Sequence, residues 1–149
     1  MAVDTTLLDG LADSQFQLEI SPDGVEYTKV ELMLSVDMPE ETRVTDDITP
    51  TDAHNTHKVA VNFFETNDIN FEMVFNPDDE QHTALKAAYR ANTALHCKIV
   101  FEDDRVEGFA FIGSLTKFAP VADPQRKLRY SGTILVSSDI DDTVKAGGA

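Results

Sequence analysis

Apolar and polar residues alternate with period two along most of this chain, and that pattern restricts it to a mainly antiparallel β architecture. Phe16, Leu18 and Ile20 share one face of the first such segment, and Val30, Leu32, Leu34 and Val36 share one face of the second. Val59, Val61 and Phe63 repeat the pattern, followed by Ile69, Phe71, Met73 and Phe75 against Asn70 and Glu72. Leu95, Cys97, Ile99 and Phe101 form a further strand. A longer one is expected from about Val106 to Leu115, apolar on both faces, where Gly108 and Gly113 mark bulges or close backbone approach. The last strand puts Leu128, Tyr130, Ile134 and Val136 on one side, opposite Lys127, Arg129, Ser131 and Thr133. The expected fold is mainly β, sandwich- or barrel-like, with two packed antiparallel sheets and one flanking α-helix.

That helix is announced by Asn76 as N-cap, Pro77 at the first helical position, and Asp78, Asp79 and Glu80 in the first turn. It should run from Pro77 to about Ala91, with Ala84, Leu85, Ala88 and Tyr89 on one face and Lys86 and Arg90 near the negative end of the dipole. Asn92 is suited to the left-handed stop. A narrow stripe of small residues fits packing on a sheet.

Residues 37–57 break the pattern, with two prolines, six acidic side chains and Arg43 as their one basic residue. The segment reads as a long acidic loop, and loops beyond about 12–15 residues inside a compact domain are usually functional or disordered. Residues 139–149, with acidic Asp139, Asp141 and Asp142 and a glycine-containing end, read as a flexible tail. No internal repeat is present, and residues 1–149 are expected to form a single domain.

A chain of 149 residues buries about 68–70% of its unfolded surface, enough for a real core. Its 27 acidic and 12 basic side chains give a formal net charge of −15, which repels nucleic acid and anionic membranes. Arg126, Lys127 and Arg129 form the only dense basic stretch, too little for a duplex footprint. The single cysteine, Cys97, excludes an internal disulfide and reads as core filler. The opening residues lack the basic and apolar regions of a secretory signal, and no apolar run approaches the ~20 residues that span a bilayer.

Motifs for chemistry are sparse. His54 and His57 lie three apart beside Asp52, yet a flexible acidic loop gives a metal no fixed frame. Asp139, Asp141 and Asp142 lack the central Gly and closing Glu of a calcium loop. Capping explains Asp78, Asp79 and Glu80 more simply than acid–base work. There is no phosphate-binding loop, nucleophile elbow or dinucleotide fingerprint. No catalytic site, metal or cofactor is expected, and the chain reads as a non-enzyme.

The order strand, long acidic loop, strand, helix and three strands resembles the major tail tube proteins of long-tailed, non-contractile bacteriophages. The resemblance is most specific in INFEMVFNPDDEQHTALKAAYRANTALHCKIVFEDDRVEGFAFIGSLTKF, a strand, then a Pro- and acid-started helix, then a short strand ending in an acidic turn. The closing pair in GFAFIGSLTKFAPVADPQRKLRYSGTILVSSD is similar to the family's final strands. This resemblance implies a structural virion protein whose copies partner one another as hexameric rings, stacked into a tube around a tape-measure protein. The implied partners also include tail tip or initiator and tail terminator proteins. DNA would pass through the lumen without specific binding, no membrane would be engaged, and the subunit would move from host cytoplasm to virion during assembly. An acidic lumen suits this role, because a duplex carrying one negative charge per about 1.7 Å would stick to a basic channel.

For assembly, the acidic segment with Glu40, Glu41, Arg43, Asp46 and Asp47 is expected to meet Arg126, Lys127 and Arg129 of a neighbour. Two alternatives share the same texture: a tube subunit of a contractile tail or secretion system, and a monomeric β-sandwich virion or binding module.

Overall fold

The computed structural model describes residues 5–145, and the glycine-containing end of the predicted tail lies outside them. The elements in chain order are α1 (Thr5–Asp9), β1 (Phe16–Ser21), β2 (Thr28–Lys29), β3 (Met33–Val36), β4 (Glu41–Asp47), β5 (Lys58–Thr66), β6 (Ile69–Val74), α2 (Glu80–Ala91), β7 (Leu95–Phe101), β8 (Gly108–Val121), β9 (Arg129–Val136) and β10 (Asp141–Val144). Every described strand pairing is antiparallel, as the alternation requires. The main sheet has the order β2-β1-β7-β8-β9-β6-β3, and β10 also pairs with β8.

Its two halves are carried by one strand. Residues 109–113 of β8 pair with β7, and residues 113–121 pair with β9. The glycines let the strands pass closely: a Cβ on Gly108 would collide with the Ile99 carbonyl, and one on Gly113 would fall 2.5 Å from Ile134 Cγ2. Around this shared strand the alternating residues close on each other as expected, with Leu18, Ile20, Ile69, Phe71, Met73, Cys97, Ile99, Phe111 and Ile134 all buried.

The outermost strands of the sheet, β2 and β3, are consecutive in sequence, so residues 30–32 cross from one edge to the other and turn the sheet toward a barrel. Val30 N–H donates to the Leu18 carbonyl at 2.8 Å, and Val74 N–H donates to the Leu32 carbonyl at 3.0 Å. Leu32 adopts φ 62°, a left-handed conformation that costs a β-carbon residue about 1–2 kcal/mol. The crossing corrects the expectation that Val30, Leu32, Leu34 and Val36 share a buried face. Val30 and Val36 are buried, whereas Leu32 and Leu34 are about half exposed, because the backbone turns at Leu32 and resets the alternation.

Helix α2 begins later than the sequence suggests. Asp79 is the N-cap, its side chain accepting from the Gln81 and His82 N–H groups at 2.8 and 3.3 Å, while Asn76 caps a preceding turn through Asp78 N–H. The end is as expected: Asn92 is left-handed at φ 52°, and Thr93 N–H returns to the Ala88 carbonyl. His82, Leu85 and Ala88 are the buried stripe. His82 has no exposed surface; its Nδ1 accepts from Asn76 N–H at 3.0 Å, which leaves Nε2 to donate to the Glu31 carbonyl at 2.7 Å. One imidazole therefore ties the helix to the strand before it and to the crossing. Phe75 stacks on its ring, and Tyr130 lies between Phe75 and Phe118 with centroids 4.5 and 4.6 Å away.

His82→Ala leaves the Glu31 carbonyl and the Asn76 N–H buried without partners. The expected loss is about 2–4 kcal/mol in urea unfolding. Gly108→Ala should cost about 1–3 kcal/mol in the same measurement, since backbone rather than a flexible side chain must move.

Candidate functional site

Residues 37–57 are not an open loop. Seven of them, Glu41–Asp47, form β4 and pair with β5 in a two-stranded ribbon separate from the main sheet. The ribbon continues the β3–β6 pair outward: Asp37 N–H donates to the Asn70 carbonyl, and Glu40 N–H then donates to Asn67 Oδ1 at 2.7 Å. Its distal connection is held by Asp47, whose carboxylate accepts from Thr49 N–H and Thr49 Oγ1, and by His57 N–H donating to Thr49 Oγ1. Those bonds to Thr49 hold the Asp47 carboxyl below its ordinary pKa. Composition concealed the strand, because Asp and Glu at both ends of β4 are poor β formers.

The nine residues of β5 are all exposed, which gives an arm of about 30 Å with water on both faces. Val59, Val61 and Phe63, which the alternation picks out correctly as a set, face solvent rather than a core; Phe63 is 60% exposed. Contiguous apolar exposure of this kind marks an interaction surface. Arg43 stacks its guanidinium 4.3 Å from the centroid of Phe64, its cross-strand partner, and donates to the Val61 carbonyl at 3.3 Å. Glu41, Asp46 and Asp47 line the β4 side of the arm, and all are exposed, as is Glu40 at its root.

The basic stretch sits at the opposite end of the sheet. β6 runs from the arm root at Ile69 to Val74, and Val74 pairs with Arg129 at the start of β9. That separation is about 20 Å. No arm can fold back on its own basic turn without breaking the β3–β6 pair. Within that turn the three cations differ. Arg129 Nη1 lies 3.4 Å from Glu72 and is largely covered, with its Nε buried and unpartnered, whereas Arg126 is 61% exposed and only 3.9 Å from Asp123. Lys127 is exposed.

The other sequence candidates do not converge. Asp52, His54 and His57 are exposed in the arm's distal connection, and no group of three or more His, Cys, Asp or Glu side chains among the described residues could hold a metal ion. Asp141 binds Thr143 N–H and Oγ1 and belongs to β10, which pairs with β8, so residues 141–144 are strand rather than loose tail. Cys97 is 1% exposed, and burial pushes its thiol up to about 12. Two hydrogen bonds from the Arg105 guanidinium hold the Asp103 carboxyl at about 2, and Arg105 also donates to the Gly10 carbonyl, fastening the N-terminal segment to the β7–β8 turn.

The fold of this chain is similar to those of solved tail structures. The chain superimposes on the tail of an empty gene transfer agent particle, refined with C6 symmetry, with TM-score 0.71 at 9% identity, covering 87% of this chain and 96% of that one. It matches a chain of the anti-feeding prophage baseplate with TM-score 0.69 at 7% identity, covering 95% and 96%. The SPP1 tail tube gives TM-score 0.66 at 6% identity, covering 88% and 78%. No family model matches the sequence, and no curated protein matches it either. The fold is the phage tail tube fold.

In the free subunit the arm has few tertiary partners. Amide hydrogens of β4 and β5 should exchange faster than those of β7 and β8, by roughly two orders of magnitude or more, when followed residue by residue in NMR. The Asp103 carboxyl should titrate near 2, and Arg105→Ala should return it toward 3.8. The sign follows from the depressed value: the pair's stabilisation is present above about 3.8 and is lost as pH falls through about 2.

Proposed function

We propose that this chain is a non-enzymatic structural subunit of a virion tail, a major tail tube protein that polymerises as stacked hexameric rings into a hollow tube through which DNA is ejected. The observation that carries the reading is the arm: a strand of nine residues, paired only with β4, whose apolar stripe is exposed to solvent among the described residues, on a fold similar to those of solved tails. A ribbon exposed on both faces gains stability only from a second chain. The C6 symmetry of the gene transfer agent tail supports six-fold rings. The likeness to the anti-feeding prophage baseplate supports a second form of the same role, the tube of a contractile tail or secretion-type machine.

With the arm and the basic turn at opposite ends of the sheet, we read their contact as heterologous, the kind that builds rings or filaments. In this reading Glu40, Glu41, Asp46 and Asp47 of one subunit meet Arg126 and Lys127 of the next; Arg129 and Arg43 serve mainly inside their own subunit, on Glu72 and Phe64. The net charge of −15 keeps the duplex from adhering to the lumen. A tape-measure protein inside the tube, and initiator and terminator proteins at its ends, complete the expected partners.

Negative-stain electron microscopy of concentrated protein should show hollow tubes or six-fold rings, and light scattering the corresponding mass. A strict monomer that binds a small ligand saturably would instead establish a binding module. The double variant Arg126→Glu, Lys127→Glu should remain folded and lose tube formation. Raising salt from about 0.1 to 1 M, which shortens the screening length from about 10 to 3 Å, should weaken wild-type assembly.

A further inference from the structure

Beside the crossing, the sheet leaves a cleft. β1 pairs with β2 only at Glu19 and Ile20, so the outer edge of its first half is bare, and β3 has no partner beyond β6. These two edges diverge from the Leu18–Val30 hydrogen bond and enclose a cavity of about 360 Å³ between Phe16, Leu18, Leu32 and Leu34. Leu32 is 52% and Leu34 49% exposed, whereas Met33 packs partly against the core and Val36 is buried. The Lys29–Glu31 pair lies on its rim at 3.7 Å.

We propose that this cleft is the receptor for the arm of a second copy of the chain, whose Val59, Val61 and Phe63 enter between β1 and β3. The inference rests on the assembly reading above and adds the surface on which it occurs. Two observations select this occupant. First, the cleft closes at the Val74 end of β6, where Val74 N–H meets the Leu32 carbonyl, and the turn carrying Arg126 and Lys127 reaches that same end, through the bond from Phe75 N–H to the Leu128 carbonyl. The closed end of the cleft and the basic turn thus flank β6, about two strand spacings or 10 Å apart. An arm seated in the cleft by its β5 stripe brings the acidic β4 side, with Asp46 and Asp47, toward those cations. Second, the free edges of β1 and β3 offer unpaired backbone groups to an incoming strand, so the contact can add hydrogen bonds to apolar burial.

The test is covalent capture. Cys97 is buried and inert, so the double variant Leu34→Cys, Phe63→Cys has only two reactive thiols. Oxidised under conditions in which wild-type protein forms tubes, it should give a ladder of covalent oligomers on a non-reducing gel. The control pair Val25→Cys, Phe63→Cys, with Val25 79% exposed and off the cleft, should give no ladder. Leu34→Asp should keep the wild-type circular dichroism spectrum and lower the tube yield roughly tenfold or more. Tubes from Leu34→Asp at wild-type yield, or assembled Leu34→Cys, Phe63→Cys tubes without a ladder, would overturn the cleft as receptor and leave the tube reading standing. Neither tubes nor ladder from any variant or the wild type would overturn both.

Discussion

The buried imidazole of His82 holds together the three parts on which the rest of the structure depends. A β-barrel-like body needs its outermost strands connected, and here the connection is three residues long, with a left-handed leucine, Leu32, at its end. That backbone strain is offset by hydrogen bonds on each side, from Val30 to Leu18, from Val74 to Leu32 and from His82 to Glu31. Because His82 lies in the first turn of α2, the capping of the helix by Asp79 also sets the position of the ring. Local capping and long-range closure are thus one arrangement, which is why helix, crossing and β6 share a single end of the molecule.

That closure has a consequence for assembly. Joining β2 to β3 by so short a link leaves the edges of β1 and β3 apart, and the gap becomes a cleft instead of another hydrogen-bonded pair. At the far end the same β3–β6 pair runs on past the body as the arm. A strand pair that is half core and half projection puts the acidic arm at one end of the subunit and the basic turn at the other. In the assembly we propose, such polarity suits head-to-tail contacts, which close into rings or run on as filaments.

Charge has separate uses at different places. Asp79 serves the helix, Glu72 covers Arg129, and Asp103 with Arg105 pins the N-terminal segment, so these groups are satisfied within the subunit. The acidic side of the arm and the exposed Arg126 and Lys127 are left without comparable partners, and they are the charges available to a neighbour. Exposed ion pairs contribute little to stability individually; their value here is in orientation and in keeping like-charged surfaces apart.

Sequence alone determined most of the strands and their antiparallel pairing, though not β4 or β10, because period-two burial is a local property of Leu18, Ile69, Cys97, Ile99 and their neighbours. It also determined that a helix follows β6, its Asn92 stop and the close approach at Gly108 and Gly113, while its start lies three residues later, at the Asp79 cap. The acidity that marked residues 37–57 as exceptional was legible too, and so was the basic stretch. What those segments do was decided only in three dimensions. Val59, Val61 and Phe63 alternate like a core strand, yet they lie in water because the β3–β6 pair carries them beyond the body. Leu32 and Leu34 continue the pattern of Val30 and are exposed because the chain must turn there to join two edges. Periodicity reports which residues share a face; only tertiary packing decides whether that face meets its own chain or waits for another.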